Sequence, residues 1–242
     1  MKTAFLFLSF FSIFNIWSQN HCQKGQDSYE AKNYNAAIEA LQLCLKNNPE
    51  NEDAQYHLAR SYAELQQWEK AVDVYKILVE ANPENAEYNF LYGGSLGLYA
   101  KRLSPLKAVG YISDIKYYLK KAIQLDSKHI DARWALVQIF MELPFVAGGS
   151  KSTAEDYADE LLSISPVDGH LAYGFIEVYD KNWAKAEKHY KKAVKVGQSE
   201  TSYQKLVDVQ IQQKKMEEVK VTLREAYRVT QKEHFKKLLD KI

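Results

Sequence analysis

Two cysteines and six histidines are the side chains most able to ligate a metal or attack a substrate. They are Cys22 and Cys44, and His21, His57, His129, His170, His189 and His234. Their spacing assembles neither chemistry. No two histidines stand four residues apart, and the chain holds no HExxH and no CxxC, so a helix-borne zinc site has no starting pair. A thiol nucleophile would have to rest on Cys22 or Cys44. Carboxylate pairs such as Glu50/Glu52 and Glu217/Glu218 fall in helix connections or on solvated faces, where such pairs are ordinary. The stretch Gly148-Gly149-Ser150-Lys151-Ser152-Thr153 approaches a phosphate loop. Ser150 stands where that loop needs glycine before Lys151, and Phe145 and Val146 occupy the region of its first glycine. Its simpler reading is a connection in which Pro144 ends one helix and Ser152 or Thr153 caps the next. No catalytic residue, cofactor site or metal site is expected.

The elements that would position any site repeat. Asn-Pro-Glu-Asn occurs at 48–51 and again at 82–85, an interval of 34 residues. With these copies aligned, Ala37 matches Ala71, Tyr34 matches Trp68, Leu41 matches Tyr75 and Gly25 matches Ala59. Fixed-period self-similarity means a solenoid whose units bury their apolar faces on one another. Apolar residues at Ala37, Ile38, Leu41, Cys44 and Leu45, and again at Leu58, Ala59, Tyr62 and Leu65, keep helical spacing. Pro49 and Pro83 stop the second helix of each pair.

Such 34-residue helix pairs, with a large residue, a small one, an aromatic, alanine and finally proline in order, resemble the tetratricopeptide repeat (TPR) family. The resemblance is strongest over 52–85, carried by Leu58, Ala59, Tyr62, Trp68, Ala71, Tyr75 and Pro83. It implies an all-α, right-handed α-solenoid of about six TPR-like helix pairs with a C-terminal capping helix. The expected units are 20–51, 52–85, 86–128, 129–167, 168–199 and 200–230, with the cap at 231–242. Units three and four are stretched, around Leu103-Ser104-Pro105 and around LPFVAGGSKST.

The N-terminus has the layout of a secretory signal peptide. Lys2 is followed by an apolar run from Ala4 to Ile16 and a small residue at Ser18. Cleavage after Ser18 would leave residues 19–242 as the solenoid, in the periplasm or outside the cell, with no later segment apolar enough to span a membrane. Without Lys2 the chain carries 31 basic and 31 acidic residues. The balance hides an asymmetry: residues 181–242 hold 16 Lys and Arg against 8 Asp and Glu, a net +8.

In the TPR family the residue one past the first core position of each first helix faces a concave groove. The matching positions here are Tyr56, Phe90, Trp134 and Leu171, with Arg60, Gln138 and Phe175 four residues further along the same face. These residues are the expected partner-binding groove, unless they pack on the neighbouring unit instead. Cys22 lies near the start of the first helix and Cys44 near the end of the second. Antiparallel helices bring those ends together, so the two either bridge or remain buried thiols. The leading expectation is a non-enzymatic scaffold in the cell envelope that holds a protein or peptide in this groove. Nucleic acid is not expected as a partner. The alternatives are an envelope hydrolase or transferase using the loop around Gly148, and a structural spacer binding through its basic C-terminal face.

Overall fold

The protein is described by a computed structural model over residues 21–242; the signal-like segment 1–18 lies outside the described residues. The chain divides into two compact units, one ending at Asp126 and one running from Ser127 to Ile242. The first holds α1 (residues 21–30), α2 (Tyr34–Asn47), α3 (Glu52–Glu64), α4 (Trp68–Ala81), α5 (Ala86–Ala100), α6 (Pro105–Ala108) and α7 (Ile112–Leu125). The second holds α8 (Ile130–Glu142), α9 (Lys151–Ile164), α10 (Pro166–Tyr179), α11 (Trp183–Gly197), α12 (Glu200–Gln212), α13 (Met216–Thr230) and α14 (Glu233–Leu239). Within each unit, consecutive helices pack on one another, with α7 taking the place after α5 and α14 covering α13. The fold is therefore an all-α solenoid of helix pairs: α1/α2, α3/α4 and α5/α7, then α8/α9, α10/α11 and α12/α13. No strand occurs among the described residues.

The repeated Asn-Pro-Glu-Asn now has a physical explanation. Its first asparagine closes the outgoing helix: the Asn48 and Asn82 N–H groups donate to Cys44 and Leu78 carbonyls. Its last caps the incoming helix: Asn51 and Asn85 side chains accept from the N–H of Ala54 and Tyr88. The proline carbonyl between them is taken by the next helix, through Gln55 to Pro49 O at 2.7 Å and Asn89 to Pro83 O at 3.0 Å. One tetrapeptide thus satisfies the exposed backbone groups of two helix ends at once.

Turns within the pairs use a different device. Lys32, Gln66, Lys181 and Lys214 all have positive φ, from 55° to 60°. Each follows a first helix, and the next residue's N–H reaches back five positions, as from Gln67 to Tyr62 O. This is the six-to-one closure of a left-handed helix terminus, held here without glycine. Pairs α5/α7 and α8/α9 lack it and carry the two insertions instead. The first contains α6. The second is a 3-10 turn at Phe145–Ala147 closed by Gly148 at φ 82°.

The core runs along each unit where first and second helices meet. Leu58, Ala59, Tyr62, Ala71 and Tyr75 are all buried. In the second unit, Leu171, Tyr190, Leu206 and Val209 form one cluster, and Tyr203, Leu223 and Phe235 another that seats α14. Close approach needs a small partner: a Cβ on Gly174 would stand 2.2 Å from the Tyr190 ring. Cys22 and Cys44 are joined by a disulfide between α1 and α2, with Cα atoms 5.0 Å apart.

Candidate functional site

In the first unit, the expected groove residues lie on α3 and α5. Tyr56 and Arg60 are one turn apart on α3 and both half-buried. Arg60 donates to the Tyr56 hydroxyl at 3.0 Å, and its guanidinium lies 5.7 Å from the Tyr56 ring and 5.8 Å from the Tyr29 ring. Burial alone would lower the Arg60 pKa. The Tyr56 hydrogen bond and the surrounding tyrosines outweigh it and hold the guanidinium charged. The Tyr56 ring also meets the Tyr88 ring, 6.1 Å away, and the Tyr88 hydroxyl donates to Glu52. Arg60 is thus fixed between two tyrosines. Tyr75, buried beneath, has a hydroxyl with no hydrogen-bond partner among the described residues, and burial raises its pKa. Phe90 is half-buried on α5. One turn on, Gly94 leaves bare backbone whose added Cβ would meet only the Phe90 ring, at 3.9 Å.

In the second unit, the site is built on α8 and α10. Trp134 is half-buried against the cluster containing Leu171. Its indole N–H donates to Asp168 at 3.1 Å, and its ring meets Phe175 edge-on at 6.4 Å. Phe175 in turn lies 6.4 Å from Tyr179. Tyr179 is 49% exposed, and Gln138, one turn beyond Trp134 on α8, is exposed. The result is an aromatic ridge, Trp134–Phe175–Tyr179, with an amide at its edge. Leu171 does not belong to it. At 7% exposure it is a core residue, because α10 packs on α8 as well as on α9, α11 and α12, and Trp134 covers that point. At the same expected groove position, Trp134 is half-buried and Leu171 is core.

Sequence reasoning missed Tyr29 and Tyr179. Tyr179 stands four residues after Phe175, so the helical spacing that selected Phe175 also reaches it. Tyr29 carried no such signal: its role depends on Arg60, which is distant in sequence.

The loop around Gly148 is a helix connection. The Gly149 N–H donates to Pro144 O, and a Cβ there would fall 1.8 Å from Leu143 O. Ser150 caps α9 by accepting from the Thr153 N–H, while Lys151 pairs with Asp180 and Glu155. His170 and His189 sit on adjacent helices with rings 5.9 Å apart. Burial lowers both pKa values, and Lys192 adds to this. Among the described residues, no three His, Cys, Asp or Glu side chains converge as metal ligands, and no helix is long and apolar enough to cross a membrane.

A family model described as Tetratricopeptide repeat matches residues 28–92. No curated protein matches the chain. Solved structures share its fold at low identity. TTC0263, a thermophilic TPR protein in Thermus thermophilus, superposes with a TM-score of 0.60 at 19% identity, covering 81% of this chain and 96% of that one. The MamA protein gives 0.58 at 19%, covering 77% and 94%. YrrB, described as a TPR protein with an unusual peptide-binding site, gives 0.54 at 17%, covering 75% and 87%.

Proposed function

We propose that this chain, a tetratricopeptide-repeat protein, is a non-enzymatic scaffold that holds an extended peptide or protein segment against its first helices. The observation carrying this reading is the placement of part-exposed aromatics on those helices: Tyr56 and Phe90 in the first unit, and Trp134, Phe175 and Tyr179 in the second. Rigid rings anchor a partner at small rotamer cost. Arg60 and Gln138 stand beside them to bond a backbone or carboxylate. YrrB, with its peptide-binding site, supports a peptide as the class of ligand. The signal-like residues 1–18 support action in the periplasm or outside the cell, with a native chain beginning at Gln19. N-terminal analysis of native material tests that part.

The binding reading is tested by selecting random peptides on the immobilised chain. Tyr179→Ala and Gln138→Ala should each weaken a selected peptide about tenfold, by roughly 1–2 kcal/mol, with the thermal midpoint unchanged. Peptides whose affinity ignores these substitutions and Phe90→Ala alike would contradict the reading.

A further inference from the structure

On two of the second helices, α4 and α13, the solvated faces mix both charges. On α4, Lys76 pairs with Glu80. On α13, Lys220 pairs with Glu217. Helix α11 breaks this pattern. Lys185, Lys188, Lys192 and Lys195 are all exposed and follow the spacing 3, 4, 3, which places them in one stripe about 15 Å long. Among the described residues, no hydrogen bond or ion pair holds any of the four. The single acid of α11, Glu187, is buried and already engaged by Lys191 and Lys215, each at 2.6 Å, and by Gln213 at 2.9 Å. Its charge is already shared by two lysines outside the stripe. Like charges three and four apart weaken a helix, so the stripe is a local cost, eased at Lys195, which lies in the last turn of α11 where the helix dipole favours a cation.

We infer that the α11 stripe is a docking face for an anionic lipid surface. The chemistry of its side chains favours that occupant. The four are lysines, compact charges on long flexible stems, with no arginine fork for a fixed phosphate geometry. No exposed Trp, Tyr or Phe ring lies among them on which a nucleobase could stack, and the His189 ring beside them is already stacked on Tyr173. At the end of the stripe Val196 is exposed, an apolar contact suited to the headgroup boundary. Lysines near an anionic membrane add their attraction residue by residue, and salt screens it. This inference is separate from the peptide reading, which rests on other helices.

The test uses the full chain and vesicles of phosphatidylcholine, with and without about one-third phosphatidylglycerol. The apolar N-terminal segment can itself engage neutral lipid, so the readout is the preference for anionic over neutral vesicles. The wild type should show a preference that falls steeply with salt. The quadruple variant K185Q/K188Q/K192Q/K195Q should lose roughly 1,000-fold of it. A charge-matched control, K24Q/K32Q/K46Q/K70Q, should keep most of it. Circular dichroism of all three verifies the fold. Equal loss in the control would overturn the inference, since net charge alone would then explain binding. So would the lack of any anionic preference, or stripe-dependent binding to duplex DNA in place of vesicles.

Discussion

Replacing Trp134 by alanine tests how far the ridge on α8 and α10 is structure and how far it is surface. Complete burial of such a ring makes its removal cost about 3–5 kcal/mol. Trp134 is half-buried, so roughly half of that contribution is at stake. The lost indole N–H adds little. Asp168, its acceptor, keeps the Ser165 hydroxyl as a donor and lies in the first turn of α10, where the helix dipole favours a carboxylate. The expected loss is therefore about 2 kcal/mol of folding stability, read as a lower urea midpoint with an unchanged slope. Trp134→Phe should recover more than half of it by retaining the contact with Phe175. A loss below about 0.5 kcal/mol would mean that the ring is free of the core. A loss above about 4 kcal/mol would make Trp134 a core residue and remove it from the binding face.

Reducing the Cys22–Cys44 bridge should cost about 3 kcal/mol, since it closes a loop of 22 residues; an unchanged urea midpoint under reductant, or two titratable thiols in denatured native protein, would contradict this. Gly174→Ala should destabilise by about 2 kcal/mol, because its Cβ overlaps the buried Tyr190 ring and overpacking outweighs the gain in helix propensity. His57, His170 and His189 have pKa values lowered first by burial, so unfolding takes up protons. Their contribution is complete above the unfolded value of about 6.5 and is lost as pH falls below it. Thermal midpoints should drop between about pH 7 and pH 5, and H57Q/H170Q/H189Q should flatten that drop; an equal slope in the variant would refute the assignment.

The helix pairs were legible because their signals are local and repeated. Ala37 and Ala71, or Pro49 and Pro83, have the same neighbours at the same distance, so period alone locates them. The turns at Lys32, Gln66, Lys181 and Lys214 were not legible. Their left-handed backbone is imposed by the helix termini on residues that carry no turn signal of their own. The aromatic face of the first helices was legible in register and only partly in exposure. Trp134 and Leu171 occupy the same repeat position, yet one is half-exposed and the other is core. What separates them is how each helix packs on its neighbours and the size of the side chain, neither of which is written at the position itself. The repeat register gives Arg60 as a donor on the same face as Tyr56. Its bond to Tyr56 lies within one turn of α3, while its contact with Tyr29 depends on α1 and α3, which meet only after folding.

Amide hydrogen exchange, with and without a saturating selected peptide, tests the central claim most directly. The account predicts added protection on first helices, at α3 and α5 around Tyr56 and Phe90 or at α8 and α10 around Trp134 and Phe175, with α9, α11 and α13 unchanged. Protection confined to α9, α11 and α13, with none on the first helices, would contradict it.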